Sequence, residues 1–199
     1  MTQQIFESDE ELWKRYDENR DQQAFGLLVR KHRERLMAFL IRFTRDADDS
    51  MDLLQETFKR FAQHYDGKRS SARTFLYCIA VNLARSHYRR VKNRREISLN
   101  DLEEEGVSLA GKNDYYREEM RMKLLQRALN QLRIQDREAI ELKDVEGLTY
   151  RSAAQIIGCS EKRFEKKLSS ARKRLMKIIM QNKEYEMLWR EHARILENA

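Results

Sequence analysis

Proline is absent from all 199 residues, and glycine occurs only six times. An average chain of this length would carry roughly ten prolines. Without the residue that most strongly breaks helices, helical runs can propagate with little interruption, so an all-α fold is expected. The scarce glycines then gain weight as punctuation. Gly67, Gly106, Gly111 and Gly147 fall where helices are expected to join, and Gly158 falls in a tight bend. The length allows one large or two small domains.

Apolar residues repeat at helical spacing through most of the chain. Ser8 followed by Glu11 has capping-box spacing and opens a short helix through Leu12, Trp13 and Tyr16. A second helix is expected from about Asp21, with Phe25, Val29, Leu36, Leu40 and Phe43 on one face. The acidic residues 46–49 introduce a third, burying Leu54, Phe58, Phe61 and Tyr65. A polar loop, 66–72, leads to a fourth from about Arg73 to Arg90 that buries Leu76, Ile79, Ala80 and Leu83. Together these form a first helical domain, residues 1–95.

Charge then changes sign twice. Residues 85–95 hold six Lys/Arg and no acid; residues 96–119 hold eight acids against Lys112 and Arg117. Two glycines and the lack of a period make 96–116 a flexible acidic linker. A second domain, 117–179, includes 124–132 and 136–145 and ends in a helix, a turn and a second helix. In that last helix Phe164, Leu168, Ala171, Leu175 and Ile178 form one buried stripe. Between Glu161 and Lys177 there are eight Lys/Arg against two Glu, mostly off the stripe. A basic helix held at an angle by a Gly-containing turn suits the major groove of DNA. The formal charge of +7 favours a polyanionic partner.

Other classes find little support. No apolar run reaches about 18 residues, so no membrane insertion is expected. The N-terminal residues are acidic and lack the order of a secretory signal. Cys78 and Cys159, 81 positions apart, make no disulfide framework and read as reduced core residues, which points to the cytoplasm. His32, His64, His87 and His192 show no ligand spacing, and His32 falls near an apolar stripe as a packed histidine. No phosphate loop or nucleophile motif is present. Neither an enzyme nor a metal or other cofactor is expected.

Three stretches resemble one family. DLLQETFKRF (52–61) is similar to a D-L-x-Q-E-x-F signature, and RTFLYCIAVNLARSHYRR (73–90) to a W/F-L-Y-x-I-A-x-N-x-A-x-D-x-x-R helix. Residues 136–175 are similar to a helix-turn-helix with R-E, E-G, [ST]-Y and I-G-x-S at matching places. In this order they resemble the extracytoplasmic-function group of bacterial RNA polymerase sigma factors, over roughly 22–95 and 121–178. Three departures are specific. Ser86 stands where the family usually has Asp, and Arg133 where it usually has Pro. Arg163, Phe164, Glu165 and Lys166 replace a common Thr-Val-Lys-Ser; Glu165 can favour cytosine.

The resemblance implies core RNA polymerase and promoter DNA as partners, with an anti-sigma factor as a further candidate. It implies a grip on the polymerase by Asp48, Asp52, Leu53, Gln55, Glu56 and Lys59; the plainer reading is a solvated face opposite Phe58. Melted minus-ten DNA would meet Lys68, Arg69, Ser70, Ser71, Arg73, Tyr77, Asn82, Arg85, Tyr88 and Arg89. Tyr77 and Tyr88 stand evenly between packing and stacking on bases. Duplex minus-thirty-five DNA would meet Ser160 as helix cap, with Lys162, Arg163, Lys166 and Lys167 at bases or phosphates, and Arg172 and Lys173 at phosphates. The linker either threads toward the polymerase cleft or is a tether. Residues 180–199 include apolar positions that dock either on this chain or on a regulator. Two competing functions remain: a DNA-binding regulator that does not act on polymerase, and a decoy that sequesters an anti-sigma factor.

Overall fold

Polar side chains close the open N–H groups where each early helix begins. In the computed structural model, which describes residues 7–95 and 114–181 (side chains at 7–91 and 122–181), α1 spans Asp9–Asn19. Its capping box is complete: Ser8 N donates to Glu11 Oε2 at 2.7 Å, and Glu11 N donates to Ser8 Oγ at 3.1 Å. α2, Gln22–Thr44, starts beneath the Asp21 carboxylate, which accepts from Gln23 and Ala24. α3, Ala47–His64, is capped by Asp46 at 2.8 Å from Asp49 N. α4, Ala72–Arg95, is capped by Ser71 and runs past Arg90, because the basic segment carries nothing that stops a helix.

The second unit holds α5 (Asp114–Gln131), α6 (Ile134–Ile140), α7 (Tyr150–Ile157) and α8 (Glu161–Gln181). The described residues contain no strand. Two helical domains are thus present, as expected. Residues 114–116, read as linker, already belong to α5. Residues 96–113, with the rest of the acidic linker, lie outside the described residues, as do 182–199 with His192 and most of the C-terminal extension.

Residues 136–145 do not form a single α-helix: from Glu141 to Val145 the backbone widens into a π turn. Glu146 N then bonds Glu141 O at 2.8 Å, and Leu148 N bonds Leu142 O at 3.0 Å across Gly147. Such bulges re-aim side chains, often at functional sites.

The first unit is built on aromatics. Trp13 of α1 meets Phe61 at 5.1 Å and Tyr65 at 5.0 Å, both edge-on, tying α1 to the end of α3. Leu28, Leu36, Phe39, Leu40 and Phe61 are fully buried, each contributing about 1.5–3 kcal/mol of burial. The apolar cluster does not stop at the domain boundary. It runs from Leu12 in α1 through Ala84 in α4 to Ala139, Ile156 and Ala171 of the second unit, with α4 lying against α7. No helix among the described residues is long and apolar enough to cross a membrane.

Candidate nucleic-acid interface

The helix-turn-helix is set by three local features. Thr149 Oγ1 accepts from Ser152 N at 3.1 Å and opens α7. Gly158, at φ 79°, closes it in the left-handed region, and Cys159 N reaches back to Ala154 O at 3.0 Å. Ser160 Oγ then accepts from Arg163 N at 3.4 Å, a weak cap for α8. Phe164, Leu168 and Ala171 are buried, with Leu175 and Ile178 half-buried behind them. This stripe turns Lys162, Arg163, Lys166 and Lys173 outward, with Lys167 half-exposed beside them. Arg172 differs: its guanidinium grips the Asp144 carboxylate, through Nε at 3.0 Å, and ties α8 to the π turn.

The loop before α4 is held by its own backbone and by one tyrosine. Asp66 Oδ1 accepts from Lys68 N at 3.0 Å, and Tyr65 OH donates to Ser70 O at 3.0 Å. Lys68, Arg69 and Ser71 are exposed, as are Asn82, Tyr88 and Arg89 further along α4. Three other residues on α4 face the second unit instead. Arg73 Nη2 donates to Glu146 O at 2.5 Å, and Tyr77 OH donates to the Glu146 carboxylate. Arg85 makes a two-pronged pair with Glu138, 2.7 Å on each side.

Arg42 of α2 completes this seam, reaching Glu141 at 2.5 Å and Glu146 at 2.6 Å. Gln155 Nε2 also donates to Arg69 O at 3.2 Å. Burial pushes the Tyr77 phenol well above its usual value, and the adjacent Glu146 carboxylate adds to the shift. Burial likewise raises the Glu141 carboxyl, although Arg42 opposes it. It pulls the Arg137 guanidinium down to about 10. The guanidiniums of Arg42 and Arg85 thus hold carboxylates in the manner in which cations hold phosphates.

On α3, Asp48, Asp52, Gln55 and Lys59 form one exposed stripe, spaced by four, three and four residues. Glu56 stands beside it, paired with Arg60 at 2.6 Å.

Comparisons with known proteins meet this geometry. The family described as Sigma-70 region 2 matches residues 28–95, and Sigma-70, region 4 matches residues 122–175. The sigma-H factor of Pseudomonas aeruginosa is 28% identical over 184 residues, covering 87% of this chain and 94% of that protein. The ECF sigma-E factor of Escherichia coli K12 is 31% identical over 151 residues, covering 70% of this chain and 78% of that one. The chain belongs to the sigma-70 family, in its extracytoplasmic-function group. A solved relative of this sigma factor is RpoE of Bartonella quintana, in complex with the anti-sigma factor NepR. It is 26% identical, with a TM-score of 0.59, and the match covers 78% of this chain and 96% of that one.

Several expectations for the sigma factor change in the structure. Leu53 is only 7% exposed and packs in the core beside Leu54, so it offers no surface to a partner. The two tyrosines separate: Tyr77 is packed and bonded, whereas Tyr88 is 43% exposed. Arg172 pairs with Asp144, with half of its side chain still exposed. Cys78 and Cys159 are free thiols, half-buried rather than core. His32 is packed, as expected, at 2.7 Å from Asp9 Oδ2.

The seam residues Arg42, Glu138, Glu141 and Glu146 were not among the sequence candidates. A partial signal existed. Glu138 and Glu141 sit among Ala139, Ile140 and Leu142, and a helix apolar on most sides is a buried one. Their cationic partners across the seam lie 53 and 99 positions away and cannot be read from spacing.

Proposed function

We propose that this sigma factor directs core RNA polymerase to promoters by reading duplex minus-thirty-five DNA with α8 and capturing melted minus-ten DNA with residues 68–72 and α4. The observation that carries the reading is α8 itself. Its apolar stripe is buried, most of its cations are exposed, and the Gly158 bend sets its start against α7. Lys162, Arg163, Lys166 and Lys167 meet bases or phosphates in the major groove, and Lys173 meets phosphate. Arg172 joins them only by releasing Asp144.

The exposed α3 stripe of Asp48, Asp52, Gln55 and Lys59, with Glu56, grips the polymerase. Lys68, Arg69, Asn82, Tyr88 and Arg89 track single-stranded backbone, with Ser70 and Ser71 in the loop and Tyr88 offering a ring for an unstacked base. Arg73, Tyr77 and Arg85 join this surface once Glu138 and Glu146 let go. The protein works in the cytoplasm, and an anti-sigma factor restrains it by covering these surfaces.

Run-off transcription with core polymerase and a promoter library tests the proposal. Transcripts sharing one upstream and one downstream motif are expected. DNA binding without polymerase association would favour a regulator instead. Association with an anti-sigma factor alone would favour a decoy.

A further inference from the structure

An open cleft of about 820 Å³ lies between the start of α6, the bend at 157–159 and the outer side of α8. Arg163, Lys166, Lys167 and Arg174 line it from α8, and Arg133 lines it from α6. One acid, Asp136, stands among them. It is buried, and Arg174 Nη1 holds both its oxygens at 2.8 and 2.9 Å. That pair silences the acid, so the cleft presents a net positive field from two separate elements.

Arg133 is a poor choice for the place it occupies. It is the N-cap of α6 and gives that helix no side-chain cap bond. A Ser, Thr, Asp or Asn there would stabilise the helix start by about 1 kcal/mol. Its side chain is exposed at the cleft rather than packed.

We propose that Arg133 contacts the phosphate backbone of duplex DNA, extending the reading surface of α8 onto the start of α6; this rests on the role given to α8 above. The chemistry fits a polyanion with closely spaced charges. Duplex DNA carries one charge per about 1.7 Å of axis, so a helix lying in the groove brings phosphates against whatever flanks it. A planar guanidinium matches a phosphate with two parallel bonds. Arg174 acts differently, neutralising Asp136, which would otherwise face those phosphates. Arg133 therefore adds affinity without adding sequence preference.

The test uses the full chain bound to core polymerase, on duplex carrying the upstream motif found by run-off transcription and on base-substituted versions of it. Arg133→Ala and Arg133→Gln are expected to make the fall of log affinity with log salt shallower by about one. Between roughly 50 and 200 mM salt, the advantage of the native protein then shrinks about three- to fourfold. The loss is expected to be equal on every sequence, and Arg133→Lys is expected to restore the slope. Matching thermal unfolding of all three variants establishes that the fold is intact. If the native protein binds the duplex and the Arg133→Ala and Arg133→Gln variants keep its salt slope, this inference is overturned and α8 keeps its role. A loss that depends on sequence also overturns it. Should the native holoenzyme show no preference among duplexes, the reading of α8 fails and takes this one with it.

Discussion

Asp9 joins the first two helices through charge. Its carboxylate lies 2.7 Å from His32 Nε2 and 2.7 Å from Lys31 Nζ, so α1 is fastened to the middle of α2. Burial pushes this carboxyl up, but the bonds and charges of His32 and Lys31 outweigh it and bring the pKa from 3.8 to about 2. A carboxylate with a depressed folded pKa stabilises fully above its unfolded value and loses that contribution as pH falls through the folded one. Stability is therefore expected to fall between about pH 4 and pH 2, and Asp9→Asn to flatten that limb. Urea midpoints across the window measure it; parallel curves for both proteins would remove the pair from the account. Arg163 belongs to the same scale. Arg163→Ala is expected to weaken minus-thirty-five binding by about 1–3 kcal/mol, more on some sequences than on others. A uniform loss would make it a phosphate contact.

At the scale of elements, two glycines make opposite predictions. Gly26 sits inside α2, and a Cβ there meets nothing within 4 Å. Gly26→Ala is expected to stabilise by about 0.5–1 kcal/mol, by restricting the unfolded chain at no steric cost. Gly158 also has open space around it, but at φ +79°. Gly158→Ala is expected to cost about 1–2 kcal/mol from backbone strain alone. Thermal unfolding midpoints should move in opposite directions, and a shift of the same sign would refute the argument. What was legible in the sequence has this local character. The Ser8 capping box, the α8 stripe and the bend at Gly158 each depend on residues within a few positions of one another. Leu53 was misplaced because it lies only 100° around the helix from Leu54. Both α2 and α4 pack on α3, so the core wraps further around it than one stripe implies. The π turn at 141–145 escaped because its residues suit an α-helix equally well. Its widened backbone goes with contacts to a distant helix, through Glu141 and Glu146 to Arg42.

At the scale of the molecule, the two surfaces proposed to read DNA stand in different states. Lys162, Arg163, Lys166 and Lys173 of α8 lie open, while Arg73, Tyr77 and Arg85 are held by Glu146 and Glu138 of the other unit. Neither unit alone hints at this, since each side of the seam reads as a polar helix face until the two meet. If melted DNA is captured as proposed, the strand and the second unit compete for the same three residues. The seam is strong in its paired groups, where a hydrogen bond to a charged partner contributes about 1.5–3 kcal/mol. It is weaker at Arg137, whose Nε and Nη2 are buried without a hydrogen-bond partner among the described residues. Replacing both carboxylates, Glu138→Gln with Glu146→Gln, keeps their shape and removes the charge that Arg85 and Tyr77 bind, and one of the two that Arg42 binds, Glu141 being left in place. The double variant is expected to open the free protein. Its radius of gyration by small-angle scattering should rise, and its affinity for a short single strand of minus-ten sequence should rise about tenfold, as loss of roughly 1.4 kcal/mol of closure would give. Binding to duplex minus-thirty-five DNA should stay the same, because α8 is exposed before and after. If scattering shows the units apart while single-strand affinity does not change, closure is not what keeps Arg73, Tyr77 and Arg85 from melted DNA. If neither quantity moves, the shared apolar core from α4 to α7 holds the units together, and the carboxylates only align them.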